Sequence, residues 1–304
     1  MGAGRNERFA GQVKAITDNR SATAALVWFV VAAIGMIATG RASAGELALP
    51  ALKTGTLKAF ERYVKLTDAR NEAELKQGKA LLWIDNLAEG QRAEAYAALK
   101  RGEVKTFKLE TRENDAVIPC PGGLIHHWTG VVFIPGAKLD EVLGTLEDYD
   151  RHSVYYTPDV ERSKIESRNG DHFRVFLRFH RHKVITVVLN SEHEVDYFHD
   201  GPGKAHSRSS GVRIAQVENA GKADEREKTV GDDDGFLWRM ETWWRMDERD
   251  GGVYVQSEVA SLTRNIPMGL GWMIGPFVTD IPKETLTFTL EATRKAVGGR
   301  RAVP

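Results

Sequence analysis

One cysteine stands in a chain of 304 residues, Cys120. An intrachain disulfide is excluded, so the core has to hold without covalent staples even in an oxidising compartment. Cys120 lies in Pro119-Cys-Pro-Gly-Gly123, a turn-forming cluster, and reads as a loop residue rather than a reactive thiol. An excess of either charge is also lacking. Lys plus Arg and Asp plus Glu number 42 each, interspersed rather than in blocks. No strong field draws the chain to nucleic acid, which is not an expected partner. Sharp catalytic signatures are missing too: there is no Gly-x-Ser-x-Gly elbow, no phosphate-cradling glycine loop and no cysteine pair. Gly269-x-Gly271 follows no βα turn of the dinucleotide type and reads as backbone freedom ahead of a helix. No cofactor is expected. There is no internal repeat and no low-complexity tract.

What is present starts with a targeting segment. Arg5, Arg8, Lys14 and Arg20 precede an uncharged apolar run of 17 residues, Ala22–Ala38, and Ala42-Ser43-Ala44 follows it. This pattern reads as a secretory signal peptide cut after Ala44, giving an exported protein, periplasmic or secreted. The run is near the lower limit for spanning a bilayer. Residues 22–38 as an uncleaved inner-membrane anchor are therefore the alternative, which Glu7 and Asp18 in the long leading region keep open. Removing residues 1–44 takes away five basic residues (Arg5, Arg8, Lys14, Arg20, Arg41) and two acidic ones (Glu7, Asp18), leaving 37 against 40. Such a chain is poorly suited to gripping anionic headgroups by charge alone.

After a short linker, Gly45–Pro50, the segment Thr54–Ala69 places Leu57, Phe60, Val64 and Leu66 at helical spacing. Ala80–Asp85 is a compact apolar run that reads as a strand. Glu89–Arg101 reads as a helix closed by Gly102, and Val104–Thr111 alternates like an edge strand. Glu113–Ala116 is the one candidate linker and is too short for a domain boundary. Residues 45–118 thus read as a helix-strand-helix-strand extension of the domain that follows, 119–298, with 299–304 as a tail.

From Leu124 the order becomes strand (Leu124–Ile134), two short helices (Lys138–Asp148, Tyr149–Tyr156), six strands (Val160–Ser167, Asp171–Arg181, Val184–Tyr197, Lys204–Val217, Gly235–Asp247, Val253–Thr263) and a terminal helix (Pro267–Val297). Pro276 and Pro282 interrupt the last, which predicts a short apolar entrance turn and a regular helix from about Pro282. Ala220–Gly235 has little apolar content and reads as an exposed, mobile loop.

This order resembles the helix-grip fold of the START-like (SRPBCC) superfamily, which includes lipid-transfer START domains, polyketide cyclases and coenzyme Q-binding proteins. The residues that carry the resemblance are Gly130-Val-Val-Phe-Ile-Pro135, Tyr149-Asp150, the aromatic strand Trp238–Trp244, and Ser261-Leu-Thr-Arg-Asn-Ile-Pro267. It covers roughly the last three fifths of the chain, and its texture is that of secreted bacterial members. It implies an α+β fold, a curved antiparallel sheet wrapped around a long C-terminal helix, with the N-terminal helix and strands as an extension. It also implies a hollow between sheet and helix, a shape that usually holds an apolar ligand.

Period two in Gly235–Asp247 puts Phe236, Trp238, Met240, Thr242, Trp244 and Met246 on one face. Trp and Met suit a cavity wall because they are large and adaptable; a solid core beneath a helix needs such residues as well. The terminal segment offers Trp272, Phe277 and Phe288 as a matching apolar stripe, and its Gly-, Met- and Trp-rich start reads as a ligand gate, a membrane-touching patch or a buried hinge. Lys204–Val217 carries polar residues on both faces, so Arg208 or Arg213 is a candidate for a ligand head group inside the grip, with Glu258 as the natural protein partner of either.

Other clusters read as ordinary. His180 and His182 share a strand face at a chelating spacing, but no second pair accompanies them and Arg178, Arg181 and Lys183 surround them, so no metal is expected. Asp232–Asp234 lacks the alternation of a calcium loop. Asp148 and His152 stand i, i+4 on a short helix, the arrangement of an acid–base pair or of a surface pair. The resulting expectation is a non-enzymatic, monomeric binder or carrier of a hydrophobic small molecule or lipid. The alternatives are a cyclase/aromatase-type enzyme and a membrane-tethered interaction module without a ligand.

Overall fold

Strand β4, Gly123–Pro135, crosses the sheet at the point where the terminal helix comes closest to it. The computed structural model describes residues 51–78, 81–182, 186–265 and 271–301, with the backbone alone for 271–280 and 301. The N-terminal part supplies α1 (Thr54–Gln77), a 3-10 turn (Trp83–Asn86), α2 (Glu89–Lys100) and β1 (Lys105–Lys108). A small hairpin, β2 (Arg112–Glu113) and β3 (Ala116–Val117), precedes β4. Then come α3 (Leu139–Leu146), a 3-10 turn (Tyr149–Arg151) and α4 (His152–Tyr155). The strands β5 (Val160–Asn169), β6 (His172–His182), β7 (Thr186–His199), β8 (Lys204–Glu218), β9 (Arg226–Glu227), β10 (Arg239–Arg249) and β11 (Gly252–Arg264) follow, and α5 (Gly271–Arg301) ends the order.

Among the described residues nine strands form one sheet in the order β1-β4-β11-β10-β8-β7-β6-β5, with β9 paired to β8. Every neighbouring pair is antiparallel. Helix α5 touches this sheet near both ends. Leu286 and Leu290 lie against Gly130 of β4, while Ala292 packs with Tyr156 and Val160, where Phe288, Leu177 and Phe179 join them. Thr285 also accepts a hydrogen bond from Arg181 of β6 at 2.6 Å. Five strand spacings separate β4 from β6, about 24 Å at ordinary spacing. A helix about 10 Å across meets both only if the sheet curls around it. The chain thus has the α+β helix-grip architecture, a curved antiparallel sheet holding its C-terminal helix.

The other face of the sheet is covered by the N-terminal part. Phe60 and Tyr63 of α1 share an apolar cluster with Ile118, Trp238, Trp243, Ala260 and Leu262. Leu82, Ile84 and Leu99 share another with Val131, Phe133 and Tyr254. The central strands therefore carry buried side chains on both faces.

Four local expectations are corrected. The run around Ala80–Asp85 is no strand: Leu82 and Ile84 dive into the core through a 3-10 turn, and the Asp85 carboxylate takes the Leu82 N–H at 3.0 Å; Ala80 itself lies outside the described residues. Glu113–Ala116 is the turn of the β2–β3 hairpin, with Asn114 and Asp115 at φ 46° and 63°, the left-handed pair that a tight two-residue hairpin needs. Helix α5 runs through Pro276 and Pro282 without a break, because each proline removes only one of the many hydrogen bonds in a 31-residue helix. The 220–235 loop is exposed over residues 221–227, as expected, but is tethered: Glu225 bonds Arg178 at 2.9 Å, Asp234 accepts from Gln216 and Lys228, and Asp233 takes the Trp238 indole N–H at 2.9 Å.

At Gly130 a methyl group would sit 2.7 Å from Leu290 Cδ1 and 3.2 Å from Leu286 Cγ. Gly130→Ala is expected to push α5 off β4 and to cost about 1–3 kcal/mol, the usual range for overpacking. Urea unfolding of the purified variant measures it; an unchanged midpoint would show that the helix does not depend on this close approach.

Candidate functional site

The concave face can be read row by row from the strand register. The row nearest α3 is Val132, Val255, Met246 and Ala205, all buried in the main apolar cluster with Leu286, Leu290 and Val297. The next row is Gly130, Ser257, Trp244, Ser207 and Tyr197. Beyond it stand Trp128, Val259, Thr242, Ser209, Val195 and Phe173. A further row contains His126, Ser261 and Met240 on one side and Gly211, His193 and Val175 on the other. The first row is solid. In the later rows Trp128, Met240, Trp244, Val259, Thr242 and Ser209 are only half-buried. Phe288, Leu177 and Phe179 are half-buried across from them. The concave face thus carries a half-buried, mainly apolar wall with hydroxyls at its centre.

Of the residues expected to line a cavity, Met240, Trp244 and Phe288 belong to this wall. Trp238 does not. It precedes the strand and is 2% exposed; its backbone N–H bonds Leu262 and its indole bonds Asp233, which turns the ring into the cluster beneath α1. Arg208 lies on the opposite face from Trp244, over the Trp243 ring, and pairs with Asp68 at 2.8 Å and Glu241 at 2.7 Å. Arg213 pairs with Glu227 and, at 3.7 Å, with Glu192. Neither arginine reaches into the grip, and neither pairs with Glu258. Trp272 and Phe277 fall where side chains lie outside the described residues, as does the segment Ala22–Ala38. Among the described residues, no helix is long and apolar enough to cross a membrane and no cluster of His, Cys, Asp and Glu could hold a metal.

Sequence reasoning missed the densest polar cluster, which lies under α1. Glu258, 1% exposed, accepts from His127 Nε2 at 2.8 Å and is bonded by Arg70. His127 Nδ1 is 2.9 Å from the Tyr63 hydroxyl, and that hydroxyl accepts the Thr111 N–H at 2.7 Å. Arg245 bonds Asn71, the Leu81 carbonyl at 2.9 Å and Glu74 at 2.8 Å. Burial works to raise the Glu258 carboxyl, but the His127 hydrogen bond and the charges of Arg70 and Arg245 outweigh it and hold it at about 2. This arrangement resembles a catalytic relay. Its groups bond one another and tie α1 to β4, β10 and β11. The nearby open groove of ≈ 530 Å³ between α1 and strands β8 and β10 is lined in part by Asp68, Arg208 and Glu241, which are already paired.

The other acid–base candidate is not assembled either. Asp148 accepts from Tyr155 at 2.6 Å and Arg300 at 3.3 Å, while His152 Nε2 bonds the Leu146 carbonyl at 3.0 Å. Burial draws His152 down to about 4, and it does the same to His126, with help from Lys108, and to His193. Cys120 is a half-buried loop thiol, and burial raises its pKa.

Comparison with solved structures finds low similarity to several. A STAR-related lipid transfer protein from Xanthomonas axonopodis is 19% identical, with 59% of this chain and 96% of that one covered and a TM-score of 0.40. Zhui aromatase/cyclase from a Streptomyces species is 14% identical, covering 59% and 98%, with a TM-score of 0.38. A START superfamily protein from Mycobacterium smegmatis is 11% identical, covering 59% and 98%, with a TM-score of 0.36. No family model and no curated protein matches the chain. At these TM-scores the likenesses carry no weight for function, and the helix-grip architecture rests on the register and helix contacts above.

The three buried imidazoles set a pH dependence. Their folded pKa values, about 4, lie below the ordinary 6.5, so between those values the unfolded chain binds more protons than the folded one. The stability they confer is complete above about pH 6.5 and is lost as the pH falls through 4. Glu258 adds a second loss lower down, from its ordinary 4.5 toward 2. The urea midpoint is expected to fall steadily from pH 7 to pH 4, with a shallower slope in His193→Gln. A flat profile over that range would mean that these rings are not buried.

Proposed function

We propose that the chain is a non-enzymatic binder or carrier of a hydrophobic small molecule, held on the concave face between β8, β10 and β11 and helix α5. The observation that carries this reading is the change along that face from a solid row to rows whose Trp128, Trp244, Met240 and Val259 stay half-buried. Large apolar side chains in a concavity gain free energy by covering their remaining surface, about 25 cal/mol per Å². The buried acid–base groups are spent on fastening α1 and on core packing, which supports binding over chemistry. The segment Ala22–Ala38 with Ala42-Ser43-Ala44 supports export of the carrier, with Gly45 as its first residue; amino-terminal sequencing of protein from the cell envelope tests this, and an intact chain in the membrane fraction would favour the anchored form.

Native mass spectrometry followed by organic extraction is expected to recover an apolar compound from purified protein. Tryptophan fluorescence titrated with fatty acids, isoprenoid quinones and sterol-like lipids is expected to saturate for at least one class. Trp244→Ala is expected to abolish that response while costing under about 2 kcal/mol of stability, less than the roughly 3–5 kcal/mol of a fully packed aromatic. No saturable response to any class, together with a large stability loss in Trp244→Ala, would refute the carrier and leave the interaction module.

A further inference from the structure

The concave wall has a polar feature that a pure hydrocarbon would leave unused. Ser207 is 1% exposed, and its hydroxyl has no hydrogen-bond partner among the described residues. A buried hydroxyl in that condition costs free energy unless something meets it. Ser207 stands between Trp244 and Tyr197 in one cross-strand row. The Tyr197 hydroxyl is already committed to Tyr149 at 2.8 Å. In the next row Ser209 and Thr242 face each other, both half-buried. The row beyond holds His193, whose Nε2 lies 2.9 Å from Ser191 Oγ.

Charge is absent from the row that holds Ser207, which runs Thr106, Gly130, Ser257, Trp244, Ser207 and Tyr197. The two rows beyond it, which begin at Trp128 and His126, carry charge only at an end: Lys108 of β1 stands beside Trp128, and Arg168 of β5 lies over the Phe173 ring, bonded to Glu147. Their two imidazoles, His126 and His193, are held neutral near pH 7 by burial. Arg181, on the concave side of β6, is bonded to Asp159 and Thr285.

We infer that the cargo is an uncharged amphiphile whose alcohol or carbonyl oxygen is held at Ser207, with Ser209 and Thr242 lining the approach. This deepens the carrier reading and rests on it. A serine hydroxyl both donates and accepts, so it serves either kind of oxygen. An ionised carboxylate or phosphate at Ser207 would give up its hydration and meet no counter-charge in that row, Lys108 standing four strands away on β1. Ser207 is buried and Trp244 is its half-buried cross-strand neighbour, so in this arrangement the ligand oxygen enters by displacing the Trp244 ring. Binding therefore registers in indole emission. The hydrocarbon part then lies along Trp128, Val259 and Met240.

The test is a tryptophan-fluorescence titration at pH 8 with 1-dodecanol, methyl dodecanoate, dodecanoate and dodecane, on wild type, Ser207→Ala and Ser207→Thr. Wild type is expected to bind the alcohol and the ester at least about tenfold more tightly than the ionised acid. Ser207→Ala is expected to weaken the alcohol about tenfold, the worth of one buried hydrogen bond, and to leave dodecane unchanged. Ser207→Thr, which keeps the hydroxyl, retains alcohol binding. Because Ser207→Ala removes only an unmet group, its thermal midpoint is expected to equal or exceed that of wild type. Dodecanoate binding as tightly as dodecanol, or equal alcohol affinity in wild type and Ser207→Ala, would overturn the oxygen anchor and leave the carrier standing. No saturable response to any of the four would overturn both.

Discussion

One helix held near both ends of a nine-stranded sheet is the constraint from which the rest follows. Leu286 and Leu290 rest on β4, while Ala292 and Thr285 reach the β5–β6 side. A sheet that meets one helix at such distant strands must arch between them. The arch separates a solid row near Met246 from the half-open rows of Trp244 and Thr242. It also creates a broad outer surface, and the apolar side chains there need a cover of their own. That cover is α1, the 3-10 turn and α2.

How the cover is attached matters for reading the chemistry. Its centre is a buried carboxylate, Glu258, surrounded by His127, Arg70 and Asn71, with Arg245 close by. Ionised groups inside a protein are tolerable when each meets an opposite charge or a hydrogen-bond partner. Here the cluster meets that requirement across α1 and three strands, β4, β10 and β11. Its geometry fixes where α1 lies as well as that it lies there, because a guanidinium and an imidazole converge on one carboxylate only in one placement of the helix. The same residue types around a cleft would invite an enzymatic reading; packed against one another they are a fastening.

The strands were legible in the sequence, and the faces of some were not. Turn residues such as Gly170 and Asp250-Gly251 punctuate the chain, and alternation between them marks β5 to β11. Alternation identifies an inner face only when the other face is wet. In β10 both faces carry buried side chains, Met246 on one side and Trp243, Arg245 and Asp247 on the other. Period two therefore leaves open whether Arg208 or Arg213 belongs to the grip, and the register puts both on the other face. Trp238 was misplaced for a different reason: the strand begins one residue later, and its indole follows Asp233. The partners of Glu258 were invisible because no local pattern links Arg70 or Tyr63 to a strand so far along the chain. Among the site residues, Met240 and Trp244 could be read from alternation, whereas Ser207 emerged only from the register that sets it between Trp244 and Tyr197.

That separation along the chain bears on the order of assembly. Arg70 and Glu258 are 188 residues apart, and Trp243 reaches back 175 residues to Asp68. β4 takes its central partner from β11, with Trp128 opposite Val259. A chain made from its amino end therefore produces α1 long before any surface exists to receive it. Isolated helices gain little stability by themselves, and contacts between distant segments are slow to form because loop closure has to come first. The N-terminal helix and β4 must wait with apolar faces uncovered until β11 has appeared. During that interval the emerging chain offers chaperones a long exposed window, and native structure closes over it almost all at once.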